Sequence, residues 1–157
     1  MDYTLIIFDI DGTLVATKSG ATFRKSATDW KWLPGRLERL QELRAQGIEI
    51  AFASNQGGVP LGYMNRQDIE HEIMLMAVQV PTLHRYICYA YPPNKNEYYT
   101  DREFLFFRKP NPGMLLQAML DAKSCVPETL MVGDLPDDEQ AARNAGVAFM
   151  WADEFFK

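Results

Sequence analysis

The sequence predicts an α/β fold, a doubly wound parallel sheet with helices on both faces. Short apolar runs alternate with segments of helical periodicity over most of the 157 residues, and this alternation is typical of parallel sheets. The first run, residues 4–9, is apolar from Leu5 to Phe8, as expected for a strand buried on both faces. Polar residues close three of the runs, and ligands of such sheets bind beyond the carboxyl ends of the strands.

The predicted strands are short apolar runs with turn or polar residues around them. In chain order they cover residues 4–9, 48–54, 85–90, 129–134 and 147–152. Right-handed crossovers are expected to connect strands that lie side by side. Another short apolar run, 104–107, comes just before Arg108 and Lys109.

The predicted helices show apolar periodicity and typical boundary residues. Leucines at positions 37, 40 and 43 recur within residues 34–47, which begin with Pro34 and end with Gly47, so this segment is an amphipathic helix. Further helices are predicted at 66–80, 112–122 and 138–146.

The composition predicts one globular domain covering residues 1–157. Apolar residues make up 47% of the chain and charged residues 24%, the usual balance for such a domain. The N-terminal residues show no signal-peptide pattern, and no stretch approaches a membrane span. We therefore expect a cytoplasmic protein without a membrane partner, with Cys88 and Cys125 reduced. The oligomeric state stays open.

Carboxylates close two of the predicted strands. Asp9 and Asp11 follow the first strand, and Asp134 ends another, with Asp137 and Asp138 close behind. Nearby carboxylates repel one another and lose hydration when buried, so a cation or a proton must offset their charge. A ligand set made only of oxygen suits Mg²⁺, which is typically bound through carboxylates, waters and a substrate phosphate. Ser54 and Lys109 could add a hydroxyl and a cation for phosphate oxygens.

The order of these residues resembles that of the haloacid dehalogenase (HAD) superfamily of phosphohydrolases, in its capless subclass III-A type. The matching pattern runs as D-x-D-G-T from Asp9 to Thr13, S-N at 54–55, K-P at 109–110 and G-D-x-x-x-D from Gly133 to Asp138. The resemblance implies a Rossmann-like core and a phosphatase that works through an aspartyl-phosphate.

The resemblance also implies a role for each matching residue. Asp9 would attack phosphorus, and Asp11 would protonate the leaving oxygen and then activate water. Mg²⁺ would be held by the Asp9 carboxylate, the Asp11 backbone carbonyl and Asp134. Asp138 would be the second acid of the last motif and belong to the metal site, with Asp137 as an alternative, water-bridged partner to the metal. The phosphate site would consist of Ser54 and Lys109, supported by hydrogen bonds from Thr13 and Asn55.

The chain leaves no room for a cap between its motifs. Residues 12–53 must hold a loop, a helix and a strand, and residues 55–108 a helix and one or two strands. The site is therefore expected to be open, or to be closed by an oligomer or by a long loop such as the polar segment 91–103.

Two groups within the superfamily give different substrates. The segment 9–30 resembles the phosphatase domain of polynucleotide kinase 3′-phosphatases, through Thr17, Ser19, Gly20, Phe23 and the pair Asp29–Trp30. Heptose bisphosphate and histidinol phosphate phosphatases are instead similar to residues 108–118 and 131–134. That group often has a zinc loop, of which the region 88–110 keeps only Cys88.

A basic segment favours the nucleic-acid alternative. Between positions 18 and 36 the chain has five basic residues against one acid, although its net charge is −5. The predicted substrate loop consists of Lys18, Arg24, Lys25 and Lys31, which could meet a DNA or RNA 3′ end. Trp30 or Trp32 could stack on a base, although burial against the sheet is their commoner role. The remaining alternatives are a sugar bisphosphate or histidinol phosphate substrate, and a non-catalytic phosphate-binding protein on the same fold.

Overall fold

A central sheet of five parallel strands organises the molecule. The computed structural model describes residues 3–82, 84–92 and 102–157, except the side chains of Arg102 and Glu103. Its strands are β1 (Leu5–Phe8), β4 (Glu49–Asn55), β5 (His84–Cys88), β6 (Thr129–Gly133) and β7 (Ala148–Trp151). They lie in the order β5-β4-β1-β6-β7, and the predicted α/β class is confirmed. A separate hairpin pairs β2 (Val15–Ala16) with β3 (Lys31–Trp32) in antiparallel fashion.

Helices cover both faces of this sheet, as the doubly wound prediction requires. They are α1 (Arg36–Ala45), α2 (Arg66–Gln79), α3 (Arg102–Phe106), α4 (Gly113–Ala122), α5 (Pro136–Ala145) and α6 (Ala152–Phe155). The apolar run 104–107 thus falls in and just after α3. Helix α5 begins two residues before its predicted start, because proline is well tolerated in a first helical turn.

The two faces of β1 explain its continuous apolar sequence. Ile6 and Phe8 pack with the buried faces of α1 and α2, whereas Leu5 and Ile7 pack with α4 and α5. Successive side chains of a strand point to opposite faces, so a strand between two helical layers must be apolar throughout. All four residues are buried. β1 is the central strand, and Asp9 follows it at the carboxyl-terminal end of the sheet.

The segment between β1 and β4 holds the β2–β3 hairpin and helix α1. Residues 9–48, all of which are described, thus hold a two-stranded hairpin and one helix. Part of the polar loop predicted to close the site, residues 93–101, lies outside the described residues. No helix in the described part of the chain has the length and apolarity needed to cross a membrane.

Candidate active site

The predicted site residues come together where three adjacent strands end. Asp9 follows β1, Ser54 and Asn55 close β4, and Asp134 follows β6. β1 pairs with both β4 and β6 in parallel, so the three carboxyl ends meet at one edge. They border a cleft of about 500 Å³ that has Asp9, Asp11 and Lys109 among its lining residues.

A tight turn at residues 10–15 brings Asp11 back over the end of β1. Leu14 N donates to Ile10 O, and Gly12 N donates to Val15 O. Gly12 has a φ of 81°, a conformation that costs other residues free energy. A Cβ atom at this position would also collide with the Asp134 carboxylate. Glycine at position 12 therefore allows the turn to pass close to the carboxylate of Asp134.

Lys109 is the buried cation of the site. Its Nζ lies 2.7 Å from Asp9 Oδ1, from Asp138 Oδ1 and from the carbonyl oxygen of Ala53. Only 2% of the residue is exposed. Burial would lower the pKa of Lys109, but Asp9 and Asp138 outweigh it and raise the pKa. Lys109 is therefore a fixed positive charge between two carboxylates.

Asp9, Asp134 and Asp138 form an acidic cluster. One oxygen from each lies within 4.8 Å of the others. The Thr13 hydroxyl is 3.1 Å from Asp134 Oδ1 and 3.4 Å from Asp9 Oδ2. Burial raises the pKa of Asp9 well above its usual range, and it also raises the pKa of Asp134. Three carboxylates therefore lie close together beside Lys109, where burial disfavours the charged forms of Asp9 and Asp134.

Asp138 and Asp137 differ sharply in their surroundings. Asp138 is buried, and its Oδ2 accepts hydrogen bonds from the backbone N–H groups of Asp134 and Leu135 while its Oδ1 pairs with Lys109. Asp137 is exposed on the rim of the cleft. Both oxygens of Asp138 thus already have partners, which suits a residue that orients Lys109.

The two polar residues that end β4 bind different partners. Asn55 Nδ2 donates to the carbonyl of Lys109 at 2.8 Å, and Asn55 Oδ1 accepts from Lys109 N at 3.0 Å. Its amide thereby fixes the loop that carries Lys109. Ser54 is buried, and its hydroxyl accepts a hydrogen bond from Gln56 at 2.8 Å.

Two residues bind the side chain of Asp11 and a third anchors one of them, and sequence reasoning assigned none of the three this role. Gln56 Nε2 donates to Asp11 Oδ2 at 2.8 Å, and Arg24 Nη2 lies 2.5 Å from Asp11 Oδ1. Arg24 is also paired with Glu72 of α2, and both side chains are buried. Burial alone would lower the pKa of Arg24, but Glu72 and Asp11 raise it. A signal for Glu72 was present, since its acid interrupts the buried face of α2 formed by Ile69, Ile73 and Met76.

The predicted substrate loop is ordered by Asp29 rather than by its basic residues. Asp29 accepts hydrogen bonds from Ser19 N, Ser19 Oγ and Lys25 N. The N–H of Lys25, followed by the Ser19 hydroxyl, lowers the pKa of Asp29 to about 2. Lys18, Lys25 and Lys31 are exposed, but Arg24 points inward and does not belong to an exposed basic surface.

The two tryptophans are partly buried against the core. Trp30 and Trp32 contact each other edge to face at 6.0 Å, and Trp32 Nε1 donates to Gln79 Oε1 of α2. This is the structural role weighed against base stacking.

Aromatic rings of other residues line the cleft. Phe23 and Tyr63 stack at 5.0 Å between ring centroids, and Tyr63 is 60% exposed. The Arg108 guanidinium, which also lines the cleft, lies over the ring of Tyr91 at 4.7 Å. Leu61 and Leu135 complete an apolar rim. The cleft thus has a charged floor beneath largely aromatic and aliphatic walls.

The match to a family model decides the classification. The model described as polynucleotide kinase 3 phosphatase matches residues 4–156. The chain belongs to this family. It is accordingly an enzyme, a phosphatase of the haloacid dehalogenase type, which confirms the resemblance inferred from the motifs.

Individual relatives fall into both substrate groups. The D-glycero-beta-D-manno-heptose-1,7-bisphosphate 7-phosphatase of Haemophilus influenzae is 31% identical over 147 residues, 90% of this chain and 77% of its own length. The bifunctional polynucleotide phosphatase/kinase of Schizosaccharomyces pombe is 45% identical over 56 residues, 35% of this chain and 14% of its own.

A solved structure with similar coverage is the D,D-heptose 1.7-bisphosphate phosphatase from B. bronchiseptica complexed with magnesium and phosphate. It aligns with a TM-score of 0.74 and 26% identity over 93% of this chain and 78% of that one. These likenesses establish the phosphatase class and leave the substrate to be argued from the cleft.

Proposed function

We propose that the chain is a Mg²⁺-dependent phosphomonoesterase that removes the 3′-phosphate from a nucleic-acid end, acting as one domain over residues 1–157. The observation that supports this substrate is the lining of the cleft, to which Phe23, Tyr63 and Tyr91 contribute aromatic rings, the first two stacked on each other. Aromatic rings hold unpaired bases by stacking and do so with little preference for sequence. A polyol would instead need several hydrogen-bonding side chains. Asn55, an amide in the described lining of the cleft, is already bound to the Lys109 backbone.

The acidic cluster fits a hard divalent cation. Its donors are all oxygens, which Mg²⁺ prefers, and burial disfavours the charged forms of Asp9 and Asp134, a cost that a bound cation would offset. Asp9, Asp134 and the backbone carbonyl of Asp11 would hold the ion, while Asp138 would act through Lys109. When bound, Mg²⁺ would offset the charge of the carboxylates and of the phosphoryl oxygens.

The first chemical step belongs to Asp9 and Asp11. A carboxylate oxygen of Asp9 attacks phosphorus, and the bond between phosphorus and the ester oxygen breaks as an aspartyl-phosphate forms. Asp11 gives its proton to the leaving oxygen. Ser54 and Lys109 bind phosphoryl oxygens, whose negative charge Lys109 stabilises.

The second step returns the enzyme to its starting state. Asp11, now ionised, takes a proton from water as the water oxygen attacks the aspartyl-phosphate. The bond between phosphorus and Asp9 breaks, and inorganic phosphate leaves. Thr13 keeps its hydroxyl beside Asp9 and Asp134, where it supports the orientation of both carboxylates.

Substitution of the nucleophile tests the mechanism. Asp9→Asn removes the attacking carboxylate, so turnover of every phosphate ester should fall to background in the presence of Mg²⁺. The exposed Asp153 provides a matched control, and Asp153→Asn should keep wild-type activity. Undiminished turnover by Asp9→Asn would remove Asp9 from its proposed role.

A substrate panel tests the specificity. Release of phosphate should be fastest from a 3′-phosphorylated oligonucleotide, compared with the 5′-phosphorylated oligonucleotide, heptose 1,7-bisphosphate and histidinol phosphate. Turnover of the sugars without turnover of either oligonucleotide would reject the nucleic-acid substrate.

The second candidate is a small-molecule phosphatase for a sugar bisphosphate. The Haemophilus influenzae relative favours it, because its similarity extends over 90% of this chain. A second phosphate would then need a cation in the cleft, and among the described lining residues Arg108 could supply it. Arg108→Met would in that case raise KM for the bisphosphate and leave KM for a monophosphate unchanged.

A further inference from the structure

The buried ion pair of Arg24 and Glu72 reaches out of the core to the side chain of Asp11. Arg24 comes from the loop between β2 and β3, and Glu72 comes from the buried face of α2. Their side chains are 4% and 2% exposed, whereas that of Asp11 is 43% exposed. A buried ion pair thus contacts a half-exposed carboxylate.

The hydrogen bonds of Arg24 have a definite direction. Its Nε donates to Glu72 Oε2 at 2.5 Å, and its Nη2 donates to Glu72 Oε1 at 2.6 Å. The same Nη2 lies 2.5 Å from Asp11 Oδ1, and an Nη atom has two N–H groups. Glu72 therefore binds the Nε–Nη2 edge of the guanidinium, and the remaining N–H of Nη2 points toward Asp11.

The other oxygen of Asp11 is fixed from a different direction. Gln56 Nε2 donates to Asp11 Oδ2 at 2.8 Å and to Ser54 Oγ at 2.8 Å. We propose that Arg24, anchored by Glu72, is a positioning residue that works with Gln56 to hold the Asp11 carboxyl group in the orientation needed for proton transfer. This inference rests on the proposed roles of Asp9 and Asp11.

Proton transfer makes this orientation important. Asp11 must lie within hydrogen-bond reach of the leaving oxygen, and a displacement of about 1 Å can cost roughly 100-fold in rate. A half-exposed aspartate without partners would exchange between staggered side-chain conformations. Two donors on two oxygens restrict it to one.

Fold stability alone does not account for the pair. Well-packed apolar residues in place of a buried ion pair are often neutral or stabilising, and the apolar face of α2 could accept them. The guanidinium has a further property that an apolar side chain lacks, a rigid fork that binds two carboxylates at once.

The test is a double variant in which both charges are removed. Arg24→Met alone would strand a buried carboxylate, so Arg24→Met/Glu72→Leu is used, and unfolding in urea verifies that it is folded. Single-turnover reactions with Mg²⁺ and excess enzyme then compare 4-nitrophenyl phosphate with a 3′-phosphorylated oligonucleotide. The aryl oxide leaves without protonation, whereas the alkyl oxygen needs the proton of Asp11.

The two substrates should respond differently. Release of 4-nitrophenol in the first turnover should stay within about 3-fold of wild type, and release of the oligonucleotide 3′-hydroxyl should slow by about 10- to 100-fold, within the range that a general acid contributes. The matched control is the exposed pair Arg39–Glu42, for which Arg39→Met/Glu42→Leu should leave both rates unchanged. Equal slowing of both substrates, or no slowing of either, by the Arg24/Glu72 variant would overturn the inference.

A conservative variant separates charge from geometry. Arg24→Lys keeps a cation for Glu72 but cannot bind two carboxylates through a planar fork. This variant should fold and should be slow on the oligonucleotide but not on the aryl phosphate. A wild-type rate on the oligonucleotide would show that a positive charge at position 24 is enough to position Asp11. If the wild-type enzyme turned over neither substrate, the proposed function would fail. If it turned over the aryl phosphate and not the oligonucleotide, the proposed substrate would fail, and an alkyl phosphate that it does hydrolyse would replace the oligonucleotide.

Discussion

Replacement of Lys109 by methionine is the sharpest stability prediction, because the lysine balances two buried carboxylates. Its Nζ makes three contacts of 2.7 Å, two of them with Asp9 and Asp138. Removal of one partner of a buried ion pair costs about 3–5 kcal/mol, against a total of about 5–15 kcal/mol for a typical domain. Lys109→Met should thus remain folded in water but lose a large part of its free energy of unfolding.

Urea unfolding followed by circular dichroism measures the loss. With a denaturant slope of about 2 kcal/mol/M, the midpoint should fall by about 2 M. Lys18→Met, at an exposed lysine, should change the free energy of unfolding by less than about 0.5 kcal/mol. Lys109→Met/Asp138→Asn should regain part of the loss, because only one carboxylate is then left without the cation. A midpoint shift below about 0.5 M for Lys109→Met would refute the reasoning.

Three further predictions concern the turn, the loop and the cleft wall. Gly12→Ala should lower the free energy of unfolding by about 1–2 kcal/mol, because position 12 has a positive φ. It should also weaken Mg²⁺ binding, because the added Cβ displaces the Asp134 carboxylate; unchanged Mg²⁺ affinity in titration calorimetry would contradict this. Asp29→Asn should loosen the loop that Asp29 ties together, so that trypsin cleaves after Lys18 and Lys25 faster than in the wild type; equal cleavage rates would count against it. Phe23→Ala should raise KM for a 3′-phosphorylated oligonucleotide about 10-fold, since a base loses a stacking partner, and should leave 4-nitrophenyl phosphate unaffected; equal effects on both would indicate general damage.

Local patterns explain why the strands and the acidic residues at their ends could be predicted. β1 is apolar throughout because helices cover both of its faces, and Asp9 and Asp134 follow strands that pair in parallel. Each of these properties belongs to a short segment. The β2–β3 hairpin was not predicted, since strands of two residues leave no periodicity to detect.

The roles that escaped prediction depend on contacts between distant segments. Arg24 lies among other basic residues in the sequence, which suggested an exposed patch, but its side chain turns inward to a partner 48 positions away. Asn55 and Lys109 are 54 positions apart and are joined through backbone atoms, which side-chain chemistry does not reveal. An acid on the buried face of α2 was the one local sign that Glu72 has a partner inside the protein.

A competition experiment tests the central claim most directly. The enzyme and Mg²⁺ are given an equimolar mixture of a 3′-phosphorylated oligonucleotide and heptose 1,7-bisphosphate, and mass spectrometry follows the loss of phosphate from each. In such a mixture the relative rates report the ratio of the two kcat/KM values. The account predicts that the oligonucleotide is dephosphorylated first, with the Asp9→Asn variant inactive on both. Consumption of the heptose bisphosphate while the oligonucleotide stays intact would contradict it.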